Sequence, residues 1–183
     1  MSNLMSATSY DSLLSEEIFL NSDPLGLEPI PEDTRQRFLQ FRTCGGEVTL
    51  LPLIDVASVL QLTITELLPI PDVPSWLLGV CNWRGEMLWL ADANSLLGKA
   101  SLWSQTPMLK TTMIVVIQSD GQSLGLAVEQ VDDVASIGAE NIVQPENFDA
   151  STMNSLVVGH LLNHGGRILN AEYLIKHSFR SLS

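Results

Sequence analysis

The stretch that decides the fold is residues 79–92, Gly-Val-Cys-Asn-Trp-Arg-Gly-Glu-Met-Leu-Trp-Leu-Ala-Asp. An apolar run ending at Val80 stops at a polar corner, Asn-Trp-Arg-Gly, and a second apolar run begins at Met87. This pattern predicts two strands joined by a tight turn. The corner holds Arg84 beside Gly85, a residue that takes positive φ without steric cost. Because loops that present one charge on a β scaffold are common recognition sites, the corner is a candidate binding site.

Composition and charge limit the functional classes. The 183 residues are 45% hydrophobic, enough for one domain or two small ones with a sizeable core. The net charge of 9 − 21 = −12 argues against binding of nucleic acid or anionic membrane through phosphate groups. Residues 1–34 contribute −7 of this charge and contain no Lys or Arg. We therefore predict an acidic, mostly flexible N-terminal extension over residues 1–35.

Cysteine usage and hydropathy bear on the compartment. Cys44 and Cys81 are far apart and lack metal-ligand or redox spacing, which predicts free buried thiols in a reducing compartment. No basic segment precedes an apolar run at the N-terminus, and no apolar segment reaches the roughly 18 residues of a membrane span. We expect a soluble, cytoplasmic protein without direct membrane insertion.

The body of the chain contains an internal repeat. A shift of 75 residues superposes apolar and glycine positions, among them Phe38 on Met113, Gly46 on Gly121, Leu51 on Leu126, Val56 on Val131 and Val59 on Val134. Each unit follows the order strand, glycine turn, strand, Val-x-x-Val stretch, proline-containing loop, hairpin and short helix. Chance agreement among apolar positions is the alternative, but the paired glycines and shared order favour duplication. The pattern predicts a mostly β protein of two small barrels with about five strands each.

No catalytic constellation is present in the sequence. It lacks a nucleophile elbow, a phosphate-binding P-loop and a dinucleotide-binding glycine motif. His160 and His164 have a zinc-ligand spacing, but the glycines that follow them predict a turn rather than a helix. Surface loop histidines are therefore the expected interpretation, with a histidine-based enzyme as a minor alternative. We predict no catalytic residue, no metal and no cofactor.

The remaining candidates are partner-binding residues, and each has a structural alternative. Val56 and Val59 are either core residues or an apolar spot for end-to-end packing of barrels. Phe148, an aromatic residue in a polar loop, either anchors an interface or packs on its own barrel. Arg84 either pairs internally with Glu86 or Asp92, or faces a partner.

The chain resembles the CheW family of bacterial chemotaxis coupling proteins. The most specific segment is residues 74–85, Pro-Ser-Trp-Leu-Leu-Gly-Val-Cys-Asn-Trp-Arg-Gly, which is similar to the family signature ending in Asn-Leu-Arg-Gly. Residues 51–60, 125–131 and 165–167 agree in the right order. The resemblance implies a CheW-like domain over residues 36–176, built of two five-stranded SH3-like β-barrel subdomains in pseudo-twofold arrangement with a few short helices. Subdomain 1 would span about 36–105 and subdomain 2 about 106–176, followed by a C-terminal tail over 177–183.

The resemblance also implies function and sites. It indicates a non-enzymatic adaptor that couples chemoreceptors, or photoreceptor-type taxis receptors, to a CheA-like histidine kinase. Val56 and Val59 would contact the regulatory domain of the kinase, and Phe148 would contact other CheW-like proteins in array rings. Asn82, Trp83, Arg84 and Gly85 would shape the side that meets the cytoplasmic receptor tip.

The chain departs from the family pattern at two tryptophans. Trp83 stands where the family usually has Leu, and Trp89 stands where the returning strand usually has Pro. These departures keep an alternative open, a divergent scaffolding or regulatory module that binds a kinase or other partner without a receptor.

Overall fold

The computed structural model describes residues 34–43, 45–104, 111–144, 156–163 and 165–180. The predicted extension, apart from its last two residues, lies outside these ranges, as do Cys44, Phe148 and His164. No helix in the described ranges is long and apolar enough to cross a membrane.

The described part of the chain contains eleven strands and two α-helices. The strands are β1 (Gln36–Thr43), β2 (Glu47–Pro52), β3 (Val56–Thr63), β4 (Leu77–Trp83), β5 (Glu86–Asp92), β6 (Thr111–Ser119), β7 (Gln122–Val128), β8 (Gln130–Ile137), β9 (Ile142–Val143), β10 (Val157–Leu161) and β11 (Arg167–Leu169). The helices are α1 (Ala93–Leu96) and α2 (Ala171–Arg180). Short 3₁₀ turns lie at Leu53–Asp55, Ile64–Glu66, Leu102–Ser104 and Ala139–Asn141.

The strands form two sheets that interleave the two repeats. Sheet I has the order β8-β1-β2-β11-β10-β9, and sheet II has the order β3-β6-β7-β5-β4. Each sheet takes its hairpin β1–β2 or β6–β7 from one repeat and its remaining strands from the other. The prediction of a mostly β protein built of two small barrels is confirmed, with each barrel formed by one curled sheet. The predicted boundary near residue 105 therefore separates the two repeats in sequence, whereas each sheet contains strands from both sides of it.

The strand registers show the pseudo-twofold relation directly. In sheet II, a bulge in β4 precedes the pair Gly79↔Leu90, and in sheet I a bulge in β10 precedes Gly159↔Ile168. Sheet I has six strands rather than the predicted five because β9 counts as a two-residue strand. Its counterpart in sheet II is a single bridge between Leu68 and Val80.

The repeat offset predicted for the first strand was wrong by one residue. Thr43 pairs with Glu47 across the first hairpin, whereas Ser119 pairs with Gln122 across the second, so the first turn is one residue longer. Consequently β1 corresponds to β6 with an offset of 76, while β2 and β3 keep the offset of 75. Phe38 therefore corresponds to buried Ile114 rather than to Met113, as expected if both side chains face a barrel interior.

The C-terminal boundary also differs from the prediction. Helix α2 continues to Arg180, past the predicted start of a tail at residue 177. The Asn170 side chain accepts a hydrogen bond from the Tyr173 N–H at 3.0 Å, which caps the N-terminus of the helix. Leu174 and Ile175 are buried in the core that both sheets share, and Ser178 is also buried, so the last turn is held by packing.

Within the described ranges, three clusters of buried apolar residues hold the fold together. The largest joins both sheets and α2 and includes Phe41, Leu51, Val115, Leu126 and Leu174; we call it the shared core. Sheet II encloses a second cluster of seven buried residues, and sheet I encloses a smaller one of three, Phe38, Leu50 and Ile168. Burial of each large aliphatic side chain stabilises the fold by about 1.5–3 kcal/mol.

Candidate functional site: the Arg84 corner and the β3 edge

The predicted corner is a two-residue hairpin turn between β4 and β5. Trp83 and Glu86 form the last pair of the ladder, and Arg84 and Gly85 between them have φ values of 54° and 84°. Two positive φ values in sequence are typical of a type I′ turn, which matches the twist of the flanking strands. The Asn82 side chain accepts a hydrogen bond from the Gly85 N–H at 3.2 Å. The prediction of two strands joined by a tight turn is confirmed.

The guanidinium of Arg84 lies over the indole ring of Trp83. Its Cζ is 4.7 Å from the ring centroid, within the range of a cation–π interaction worth about 0.5–1 kcal/mol at an exposed site. Among the described residues, Arg84 forms no ion pair. The arginine is thus stacked on its neighbour in sequence, and its side chain is exposed.

Asp92, one of the two internal partners considered for Arg84, has another role. Its carboxylate is fully buried and accepts hydrogen bonds from the backbone N–H of Asn94 at 2.9 Å and of Leu102 at 3.0 Å. It also accepts from the hydroxyl groups of Ser95 and Ser101. Asp92 therefore caps α1 and anchors the segment that follows it. This engagement leaves the carboxylate facing α1 and residues 101–102 rather than the corner.

Exposed apolar side chains flank the corner. Met87 pairs with Asn82 across the hairpin, and Leu68 bridges to Val80 on the outer side of β4; both Met87 and Leu68 are exposed. Trp83 is half-buried against the cluster enclosed by sheet II. The corner thus combines one exposed cation with apolar area, a composition suited to a protein partner.

Val56 and Val59 lie on the outermost strand of sheet II. They belong to the eight-residue strand β3 and pair with Ile117 and Val115 of β6. We predicted a short stretch that follows a strand, and this was wrong because the stretch is itself a strand. Val56 is half-buried and packs on the shared core, whereas Val59 is 38% exposed. Val59 therefore fits the predicted contact role better than Val56.

Sequence reasoning missed the most exposed apolar residue near this edge. Ile54, in the 3₁₀ turn before β3, is 90% exposed. In the run Leu-Pro-Leu-Ile-Asp-Val, the sequence pattern does not distinguish buried apolar residues from exposed ones. The reason is that the 3₁₀ turn interrupts the alternation of inward and outward side chains that a strand would show. The proline at its start was the one local signal of a break.

The other candidate residues do not form a binding site among the described residues. His160 is exposed on β10, and the part of the chain that the structure covers holds no group of three or more His, Cys, Asp or Glu side chains placed to bind a metal ion. Cys81 is a free buried thiol, as predicted. Burial raises its pKa, and the charge of Glu66 raises it further. Phe148 and His164 lie outside the described residues.

Comparisons with known proteins agree with the motifs quoted above. A family model described as the CheW-like domain matches residues 37–178. The chemotaxis protein CheW of Rhizobium meliloti (strain 1021) is 28% identical over 108 residues, which cover 59% of this chain and 67% of that protein. The crystal structure of the scaffolding protein TtCheW from Thermoanaerobacter tengcongensis aligns with a TM-score of 0.63 and 21% identity, covering 75% of this chain and 90% of TtCheW. At 21% identity, the structural match supports the fold alone.

Proposed function

The chain belongs to the CheW-like family, and from this premise we propose that it is a non-enzymatic adaptor in bacterial chemotaxis signalling. It couples the cytoplasmic tip of a chemoreceptor, or of a photoreceptor-type taxis receptor, to a CheA-like histidine kinase. It acts in the cytoplasm, at receptor arrays on the inner face of the membrane, and needs no cofactor. The observation that supports the proposal is that an exposed cation at the Arg84 corner and an exposed apolar residue on β3 belong to the same sheet.

The two surfaces lie toward opposite margins of sheet II. Strand β3 forms one margin, and the β4–β5 hairpin with the Arg84 corner forms the other. A rigid sheet with a contact at each margin holds two partners at a fixed distance, which is the geometric requirement of an adaptor. Each contact is small, so binding gains from repetition across an array.

The β3 margin is the proposed kinase surface. Val59 is exposed there and Val56 is half-buried three residues earlier on the same strand, so the kinase regulatory domain would meet an apolar strip on an outer strand. The corner is the proposed receptor surface, with Arg84 as the exposed cation and Asn82, Trp83 and Gly85 as the groups that fix its position. Phe148 is proposed to contact other CheW-like proteins in array rings.

A pair of calorimetric titrations tests the proposal. The kinase regulatory domain and a receptor-tip fragment from the same organism are titrated separately into the protein, its Val59→Glu variant and its Arg84→Ala variant. We expect Val59→Glu to weaken kinase binding and Arg84→Ala to weaken receptor binding, each leaving the other interaction unchanged. Val59 serves better than Val56, because a charge at Val56 would also disturb the shared core.

A matched control separates surface effects from general ones. Leu162 is 62% exposed directly after β10 of sheet I, whereas β3 and the β4–β5 hairpin belong to sheet II, so we expect Leu162→Glu to affect neither titration. Absence of kinase binding by the wild-type protein would refute the adaptor proposal. Kinase binding without receptor binding would favour the alternative, a scaffolding module that lacks a receptor partner. The observation that favours this alternative is the stacking of Arg84 on Trp83, because the indole ring occupies one face of the guanidinium group.

A further inference from the structure

Sheet I has a cleft at one end of its barrel. The cleft has a volume of about 360 Å³ and lies beside the first residue of β1 and the last residue of β2. Six apolar residues and two glutamines line it: Phe38, Pro52, Ala139, Ile142, Val158, Ile168, Gln36 and Gln144. This volume falls within the range of roughly 300–1,000 Å³ that is typical of small-molecule sites.

Burial divides the lining of the cleft into a floor, walls and a rim. The floor consists of Phe38 and Ile168, which are 1% and 3% exposed. Three half-buried apolar residues form the walls: Pro52, Ile142 and Val158. Three exposed residues form the rim: Gln36, Ala139 and Gln144. The cleft thus has an apolar base and opens to solvent through a rim that carries two carboxamide groups.

The two repeats differ at the rim of this cleft. The 3₁₀ turns Ile64–Glu66 and Ala139–Asn141 correspond with the same offset of 75 residues that relates β3 to β8. Ala139 of the second repeat therefore takes the place of Ile64 in the first. Because the methyl group of alanine fills less space than an isoleucine side chain, the rim is more open in the second repeat.

The repeats differ in the wall of the cleft as well. Gly79 and Gly159 follow equivalent bulges in β4 and β10, so these glycines occupy equivalent positions. Val158 therefore takes the place of Leu78, which packs on the cluster enclosed by sheet II. That cluster has seven buried residues, whereas the cluster enclosed by sheet I has three. Shorter side chains at two equivalent positions thus accompany a smaller core and leave space at this end of sheet I.

The chemistry of the lining limits which ligands can bind. Among the described residues that line the cleft none is charged, so an ionic ligand would lose hydration there without gaining a counter-charge. The carboxamides of Gln36 and Gln144 each offer hydrogen-bond donors and an acceptor. The apolar floor and walls favour an aromatic or aliphatic body. A neutral, mostly apolar compound with one polar group fits this combination.

We propose that the cleft at the end of sheet I binds an uncharged small molecule with an apolar body and one hydroxyl or carbonyl group, comparable in size to a small fused-ring aromatic compound. Phe38 and Ile168 contact the apolar body, and the carboxamides of Gln36 and Gln144 bind the polar group. The proposal does not depend on the adaptor function, because the lining includes neither β3 nor the Arg84 corner.

A titration of the full-length protein with 2-naphthol tests the proposal, since this compound is uncharged at neutral pH and has one hydroxyl group. We expect saturable binding with a dissociation constant on the order of 1 mM, as is typical of a ligand of this size. The side-chain amide signals of Gln36 and Gln144 in NMR spectra should shift, which locates the site. The anion 2-naphthalenesulfonate should bind about tenfold more weakly at about 0.5 M salt, where the net charge of −12 is screened.

Two variants that carry the larger side chains of the first repeat should close the cleft. Ala139→Ile and Val158→Leu should each weaken binding of 2-naphthol about tenfold, because the added groups occupy the space of the ligand. Both side chains are accommodated at the equivalent positions of the first repeat, so the melting temperatures should stay close to that of the wild type. A variant at the exposed rim, Gln36→Met, should weaken binding a few-fold through loss of the carboxamide, without an effect on folding.

A matched control introduces the same change outside the cleft. Ala100→Ile alters an exposed alanine next to Lys99, whose ammonium group contacts Thr43 and Glu47 at the ends of β1 and β2 that lie away from the cleft. This variant should bind 2-naphthol like the wild type. The proposal is overturned if the wild type shows no saturable binding, if the cleft variants bind as tightly as Ala100→Ile, or if the sulfonate binds as tightly as 2-naphthol.

Discussion

Replacing Gly79 with alanine should destabilise the protein far more than the same change at its counterpart Gly159. Gly79 has a φ of 140°, a conformation that costs an L-residue about 1–3 kcal/mol. A Cβ at this position would overlap the carbonyl oxygen of Leu68 and lie 3.0 Å from the Cα of Pro69. Relief of this overlap requires the backbone around Leu68 to move away from β4.

That movement breaks two backbone hydrogen bonds, from the Leu68 N–H to Val80 O at 2.8 Å and from the Val80 N–H to Leu68 O at 2.9 Å. Each bond contributes about 0.5–1.5 kcal/mol net. Together with the backbone strain, the expected loss is about 2–6 kcal/mol, a large share of the roughly 5–15 kcal/mol that stabilises a typical domain.

The counterpart supplies the control. A Cβ at Gly159 would lie 3.1 Å from Ile142 Cγ2 and 3.3 Å from the Val143 carbonyl oxygen, without a positive φ. Gly159→Ala should therefore cost only about 1–2 kcal/mol, as in modest overpacking. Equilibrium urea unfolding, followed by tryptophan fluorescence, measures both values. If Gly79→Ala is no more destabilising than Gly159→Ala, the close approach of Leu68 is not a requirement of the fold.

Three further predictions concern ionisable groups. Asp55→Asn should raise the melting temperature at neutral pH, because the raised pKa of Asp55 means that its charged form is disfavoured in the folded state; the gain should vanish as the pH falls below the unfolded-state pKa of about 3.9, which thermal scans across pH would check. Asp92→Ala should destabilise the protein by about 2–4 kcal/mol in urea unfolding, because it removes a helix cap and leaves the buried Leu102 N–H without its acceptor. In a Cys44→Ser background, Cys81 should react with a thiol reagent at pH 8 only after denaturant is added, since burial raises its pKa and restricts access; fast reaction of the native protein would contradict this.

Much of the fold could be predicted from local pattern. The Asn-Trp-Arg-Gly corner and the Asp-Gly turn at residues 120–121 mark hairpins through residues that adopt positive φ, and both hairpins are present. The repeat was visible because the inward-facing positions of both units must be apolar. These features depend on neighbours in sequence, which is the range over which pattern carries information.

The exchange of hairpins between the repeats was not predictable in this way. A β1–β2 hairpin presents the same alternating face whether it pairs with β3 of its own repeat or with β8 of the other. The one-residue error in the β1 offset has a similar cause, since the length of a glycine turn is set by its conformation and not by composition.

The candidate site, too, was predictable only in its local features. The corner was identified from its turn residues. Whether Arg84 pairs with Asp92 could not be predicted, because the Asp92 carboxylate accepts a hydrogen bond from the Leu102 N–H, ten residues further along the chain. Ile54 was overlooked because its exposure results from the 3₁₀ turn that links β2 and β3. In both cases the deciding contact or geometry lies outside the periodicity of a single strand.

The interleaved sheets have a consequence for how the protein assembles. Neither repeat can complete a sheet from its own strands, so one copy alone would leave its apolar faces uncovered. Two separate copies of one repeat could complete both sheets only by exchanging hairpins, which is the arrangement of a domain-swapped dimer. Because a linker joins the two repeats in this chain, the exchange of hairpins is intramolecular, with an effective concentration on the order of millimolar. A chain cut between the repeats should therefore yield two fragments that are unfolded apart and regain structure only when mixed.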